Sequence, residues 1–318
     1  MTTALVLFLL SLAIALLAYP PLIRRLRQAR IGQLIREEGP AGHQSKAGTP
    51  TAGGVLFLLI AVVVYVAADR SPAGGLVLLG LLSGGVVGLL DDLVKIRGGT
   101  NLGLRAREKI AVQALTGALL GYLALRWGFQ RQALPFDAAP ALGAWLIPIG
   151  ILAFSSGSNA FNLTDGSDGL SAGAGALVFA TLALLAGMAH HPAAALMPAV
   201  LSGALLGYLV YNRHPARIFM GDTGSLGLGT AMVAAAVAGG FLWYLPILAI
   251  VFVAETVSVI VQVAGFKTTG RRLLKMSPLH HHFHLSGWSE NRVAVSFWAV
   301  TLAAALLTLA IARPPSPA

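Results

Sequence analysis

Ten stretches of about twenty apolar residues recur from one end of this chain to the other, and no other feature restricts its fold as severely. They lie at 3–19, 48–68, 74–92, 108–125, 141–161, 169–188, 193–211, 224–240, 243–265 and 292–312. Roughly twenty residues carry a helix across the hydrocarbon core of a bilayer, where a helix satisfies its own backbone hydrogen bonds. Only 11% of the 318 residues are charged and 56% are hydrophobic, whereas soluble domains carry about 25% charged residues. The pattern predicts an all-α, polytopic integral membrane protein with about ten transmembrane helices, built as one domain over 1–318. The run from Ala4 to Leu17 has no basic region before it and no convincing cleavage site, so it is expected to be a retained span rather than a removed signal peptide.

The formal charge is +10, and its placement decides what it means. With the N-terminus outside, 18 of the 22 lysines and arginines fall in the inside segments, leaving Arg70, Arg126, Arg131 and Arg313 outside. The positive-inside rule then predicts both termini outside and five loops in the cytoplasm. Charge gathered on one membrane face argues against nucleic acid and for an anionic lipid surface or an anionic substrate. Asp91, Asp92, Asp165, Asp168 and Asp222 fall at ends of spans on that same face, which places the expected active site on the cytoplasmic side. Zero cysteines exclude disulfides and thiol chemistry and leave the redox compartment open. Pairs such as Gly80 with Gly84 and Gly203 with Gly207 suit close packing of membrane helices.

The polar stretches interrupting the apolar runs carry the chemistry. NAFNLTDGSDGL, residues 159–170, packs oxygen and amide ligands against a membrane boundary, where unpaired charge is costly. It must face a wet cavity, a cation, or both. Asp91 and Asp92 close the run GGVVGLL, where carboxylates at a helix C-terminus oppose the macrodipole and call for Lys95, Arg97 or a divalent cation. Asp168 and Asp222 each precede a span and can serve as N-caps. IFMGDTGSLGLG also surrounds Asp222 with small and hydroxyl residues, a setting that suits a phosphate or metal–phosphate unit. No Walker or dinucleotide-binding sequence is present.

The triplet His280, His281 and His282 is a weak zinc candidate, with no cysteine and no HExxH. It reads either as a contact for an anionic substrate or as part of an interfacial loop anchored by Phe283 and Trp288. HQSKAGTPTAGG, residues 43–54, is either a basic loop against anionic lipid or a set of lysine, threonine and backbone donors for phosphates. Glu255 and Gln262 stand inside an apolar run, where polar groups are functional candidates unless a helix–helix hydrogen bond absorbs them. Carboxylates, cations and a helix N-terminus gathered at the inner surface suit Mg²⁺-assisted chemistry at a phosphate or pyrophosphate, since oxygen-only ligands favour Mg²⁺ or Mn²⁺ over zinc. A helical bundle in lipid suggests that one substrate is itself a lipid.

The motifs KAGTPTAGG, GLLDDLVK with NLGL, NAFNLTDGSDGL, IFMGDTGSLGLG and SPLHHHFHLSGWSENRV run in order over residues 43–293. They resemble those of the polyprenyl-phosphate N-acetylhexosamine-1-phosphate transferases, and the histidine segment resembles the branch that uses UDP-MurNAc-pentapeptide. The resemblance implies a single transferase domain in the bacterial cytoplasmic membrane. It implies transfer of phospho-MurNAc-pentapeptide from UDP to undecaprenyl phosphate, giving lipid I and UMP for peptidoglycan synthesis, with Mg²⁺ as cofactor. By motif, Asp222 is the expected metal ligand and Asp91 and Asp92 the acidic pair at the reacting phosphates, with Asp92 alternatively the base on the lipid phosphate. Asn162, Asp165 and Asp168 are expected beside the nucleotide, Phe219 against uracil and Gln262 on the sugar-nucleotide side. Lys46, Thr51, Lys109, His281 and His282 resemble the polar rim. Three positions depart from the family pattern: Ala52 replaces a common Met, Ser167 a common Leu and His284 a usual acid.

Two other readings stand beside this one. A sister transferase using UDP-N-acetylglucosamine would share the aspartate motifs, and an ion-coupled transporter would instead place its acids near mid-membrane. Direct attack by the lipid phosphate and a covalent aspartyl intermediate both remain open, as does assembly as a homodimer.

Overall fold

The computed structural model describes residues 1–29, 32, 48–98, 103–135 and 138–313. A helix stands at each of the ten apolar runs: α1 (Thr2–Gln28), α2 (Val55–Val64), α3 (Pro72–Gly98), α4 (Ala106–Arg126), α5 (Leu146–Thr164), α6 (Leu170–Met188), α7 (Pro192–Asn212), α8 (Gly221–Gly239), α10 (Ile250–Thr269) and α12 (Glu290–Ile311). The short helices α9 (Leu245–Leu248) and α11 (Leu279–His284) lie before and after α10. Only two isolated bridges accompany them among the described residues, so the architecture is all-α. Among the described residues seven helices, α1, α3, α5, α6, α7, α10 and α12, are long and apolar enough to cross a membrane. This is the make-up of a multi-pass membrane protein.

Three boundaries differ from the apolar runs for visible reasons. The second run becomes helical only at Val55, because Gly53 and Gly54 donate their N–H groups to the carbonyls of Phe219 and Met220. The third continues past its apolar end to Gly98, so Asp91 and Asp92 lie within α3 rather than at its terminus. The ninth is broken before α10, where Pro246 sits in the four-residue α9.

Helix α8 is the hub. Thr223 to Gly239 is buried throughout, with α3, α5, α6 and α7 packed around it. Where apolar tails surround a bundle, helices are held by van der Waals packing, which favours small residues at crossings. A Cβ at Gly88 would stand 2.0 Å from the carbonyl oxygen of Asp222, and one at Gly84 would stand 2.5 Å from that of Leu226. Backbone contact along this seam delivers the carboxylates of α3 to the start of α8. Gly203 and Gly207 serve the same purpose between α7 and α1, against Phe8 and Ala15. Outward faces carry Leu17, Leu115, Ile260 and Leu306 at 60–77% exposure, an apolar coat suited to acyl chains.

A separate apolar cluster of Leu170, Val251, Val293, Ala294 and Phe297 receives Leu279, Phe283 and Trp288. The rings of Phe283 and Trp288 lie 4.7 Å apart, and the Arg292 guanidinium lies 4.0 Å above Trp288. Both aromatics therefore anchor the histidine segment to α6, α10 and α12.

Candidate active site

One end of the bundle collects the last turns of α3 and α5 and the first turns of α4, α6 and α8, and the acidic residues meet there. The Asp91 carboxylate is buried, with Lys95 Nζ 2.6 Å from Oδ2 and Lys109 Nζ 3.1 Å from Oδ1. Both lysines also reach Asp222 Oδ2, at 3.0 and 3.2 Å. The i, i+4 spacing on α3 sets Lys95 beside Asp91, and α4 brings Lys109 from the other side. Leu104 N–H donates to Asp91 Oδ1 at 2.8 Å, and Asn162 Nδ2 donates to Asp222 Oδ1 at 2.9 Å and to Ser225 Oγ at 2.8 Å. The Asp222 side chain keeps 16% exposure while that of Asp91 keeps 1%, so Asp222 is the carboxylate a ligand can reach.

Asp92 points differently. Its Oδ1 accepts from the Asp222 N–H at 3.2 Å, and its Oδ2 accepts the N–H and hydroxyl of Thr223 at 3.0 and 2.9 Å. A carboxylate from α3 thus caps the positive end of α8. Asp222 sits inside the first turn and is not itself the cap. Gly221, with φ of 71°, makes the entry turn.

The 165–169 turn stands next to this cluster. Asp165 accepts from the Ser171 hydroxyl. Part of its surface reaches solvent, but the carboxyl is largely enclosed by protein. Burial pushes it up to about 7, opposed by the Ser171 hydrogen bond and reinforced by the charges of Asp222, Asp168 and Asp92. Asp168 does not cap α6, whose N-cap is Gly169. Its Oδ2 takes His214 Nδ1 at 2.9 Å and the Ala216 N–H at 3.1 Å, tying the turn to the segment before α8. Glu290 Oε2 accepts from the Asp168 N–H at 2.9 Å and from Ser167 Oγ at 3.0 Å. The departures Ser167 and His284 face each other, Oγ to Nε2, at 3.1 Å.

Thr51 and Phe219 lie on paired segments beside Asp92, joined by the Phe219 N–H to the Pro50 carbonyl at 2.8 Å; both are half-buried. Gln262 is buried, and its amide is taken by the main chain of Leu273 and Leu274 at 2.9–3.0 Å, so it holds that loop. His281 and His282 are half-buried on α11, and His282 Nδ1 accepts from the Lys275 N–H at 3.2 Å. Lys46 lies outside the described residues.

The description "Glycosyl transferase family 4" fits residues 75–240, a span that holds Asp91, Asp92, Lys109, Asn162, Asp165, Asp168, Phe219 and Asp222. The chain is similar over nearly its whole length to proteins named phospho-N-acetylmuramoyl-pentapeptide-transferase. One from Heliobacterium modesticaldum is 46% identical over 312 residues, covering 96% of this chain and 97% of the relative. One from Halalkalibacterium halodurans is 46% identical over 309 residues, and one from Geobacillus thermodenitrificans is 45% identical over 312, each covering 95% of both chains. The chain belongs to the phospho-N-acetylmuramoyl-pentapeptide-transferase family.

In this member of the transferase family, the contacts made by several polar residues around the cluster go beyond a motif reading. Lys95 was legible as a counter-charge for Asp91, but its second bond, to Asp222, joins positions 127 apart in sequence. His214, Glu290 and Ser167 enter only because three separate segments converge on one turn. Asn159, within the densest polar run, turns away from the cluster and donates to Gln113 Oε1 and the Ser155 carbonyl, both at 2.8 Å.

Proposed function

We propose that the chain transfers phospho-MurNAc-pentapeptide from UDP-MurNAc-pentapeptide to undecaprenyl phosphate, releasing UMP and forming lipid I for peptidoglycan synthesis. The observation that carries this reading is the Asp91–Lys95–Asp222–Lys109 cluster at the N-terminus of α8, in a chain matched almost end to end by relatives of that name. An oxygen of the lipid phosphate attacks the phosphorus attached to the sugar, and the bond to the α-phosphate breaks as UMP leaves. Lys95 and Lys109 lie where they can hold the charge of the pyrophosphate as it is redistributed. Asp92 has both oxygens engaged by α8, and its role is to set the position of Asp222. Asn162 orients Asp222 from α5, while Asp165, Asp168 and Phe219 form the nucleotide side, with Thr51, His281 and His282 at the rim.

Magnesium fits this donor set. The donors are hard oxygens; Asp91 and Asp222 are matched by the two lysines, and Asp92, turned to the start of α8, brings the formal charge of the group to −1. Asp222 would hold the ion, and the ion would polarise phosphoryl oxygens and neutralise the leaving group. The reading places the chain in the bacterial cytoplasmic membrane with this end of the bundle in the cytoplasm, in keeping with the cation count.

The test is to incubate purified protein with undecaprenyl phosphate, Mg²⁺ and either UDP-MurNAc-pentapeptide or UDP-N-acetylglucosamine, measuring UMP and lipid-linked sugar. Product from the muramoyl donor is expected. Product from the N-acetylglucosamine donor alone would overturn the assignment.

A further inference from the structure

Glu255 and His280 are the most thoroughly buried acid and histidine among the described residues, at 0% exposure each, and the proposed chemistry uses neither. Glu255 stands in the apolar α10, where an ionisable side chain needs a partner. The partner is α11. The His280 N–H donates to Glu255 Oε1 at 3.1 Å, and His280 Nδ1 lies 3.2 Å from Glu255 Oε2. One carboxyl therefore holds the first turn of the helix through its backbone and sets its second oxygen beside the ring. Carboxyl–imidazole pairs in which one group sets the orientation and proton position of the other are a recurrent device.

The far edge of the ring meets the 165–169 turn. A Cβ built on Gly166 would lie 2.3 Å from His280 Nε2, so the imidazole abuts the main chain between Asp165 and Ser167 with no side chain between them. The His281 ring lies tilted against that of His280, with centroids 4.1 Å apart and planes at 53°. From its far end α11 is tied to the same turn through His284 and Ser167.

We infer that Glu255 is a positioning residue: through His280 it seats the histidine helix against the Asp165–Asp168 turn and so sets the shape of the nucleotide side of the site. This rests on the proposed placement of the nucleotide, and binding can be measured without turnover. Two variants approach the contact from opposite sides. Glu255→Gln keeps an acceptor for the backbone N–H but removes the carboxyl beside the ring. Gly166→Ala keeps the pair and pushes the ring away from the turn.

The experiment measures UMP and UDP-MurNAc-pentapeptide binding by calorimetry, turnover kinetics, and ring ¹⁵N NMR signals of histidine-labelled protein, for wild type and both variants in detergent. Both variants are expected to weaken nucleotide binding and raise the donor KM by about tenfold, the scale seen for orienting partners of functional histidines. The KM for undecaprenyl phosphate should change less, and Glu255→Gln alone should shift the His280 ring signals. Unchanged nucleotide affinity in Gly166→Ala, or in a folded Glu255→Gln, would overturn the inference. Wild type that binds UMP but makes no lipid-linked product would instead count against the proposed reaction and leave the binding comparison intact.

Discussion

Asp92 on α3 accepts both the main-chain N–H and the side-chain hydroxyl of Thr223 on α8, at 3.0 and 2.9 Å, and so ends one helix's search for a cap with another helix's carboxylate. The bond is buried at both ends. It places the first turn of α8, and with it Asp222, opposite Asp91.

Replacing Asp92 should therefore act on stability as well as on activity. Asp92→Ala leaves two N–H groups and a hydroxyl unpartnered inside the protein, a loss of about 1–3 kcal/mol. Asp92→Asn keeps one acceptor and should lose less. Thermal unfolding in detergent, compared with turnover, separates the two effects: a catalytic role alone would leave the Asp92→Ala melting temperature at the wild-type value.

Asp222→Asn should retain the fold, because its backbone N–H and not its side chain contacts Asp92. It should abolish turnover and flatten the dependence of rate on Mg²⁺ concentration. Full activity in that variant would remove Asp222 from the metal role. Lys95→Met and Lys109→Met should each lower kcat by about 10²-fold, the usual cost of one preorganised charge-stabilising donor.

The Asp165 carboxyl, pushed up to about 7 from an ordinary 3.8, gives a pH signature. Below the ordinary value the group is protonated whether folded or unfolded, and stability is unaffected. Between there and about 7 the folded protein holds a proton that the unfolded chain has lost, so stability falls as pH rises; above 7 the deficit is constant. Asp165→Asn removes this component. The melting temperature of wild type relative to Asp165→Asn should therefore decline through pH 4–7 and then level off. A parallel pair of curves would show that burial does not load this carboxyl.

Gly88→Ala tests the α3–α8 seam. The added methyl would collide with the carbonyl of Asp222, and forcing an extra carbon into a packed crossing costs about 1–3 kcal/mol. Unfolding temperature and turnover should fall together, since the same contact holds the helices and sets Asp91 and Asp92 against the start of α8.

What the sequence determined by itself follows from solvent physics and local spacing. Apolar runs near the length of a bilayer core predict ten transmembrane helices; a helix is found at each run, and seven of those among the described residues are long and apolar enough to span. Polar residues concentrated at run ends mark where the chemistry gathers, and Lys95 four residues after Asp91 was legible as its counter-charge. The motif resemblance drew in the remaining site residues. How each carboxylate is used depends instead on tertiary contacts between residues distant in sequence, from 25 positions apart for Glu255 and His280 to 131 for Asp92 and Thr223. Asp222 looked as capable of capping α8 as any acid before a helix, yet Asp92 does it, since glycine contacts hold α3 against α8. Asp168 looked like a cap and instead binds His214, because Glu290 and Asn212 hold the turn that presents it. Glu255 stood out as an anomaly in an apolar helix. Only the packing of α11 against α10 supplies the histidine that accounts for it.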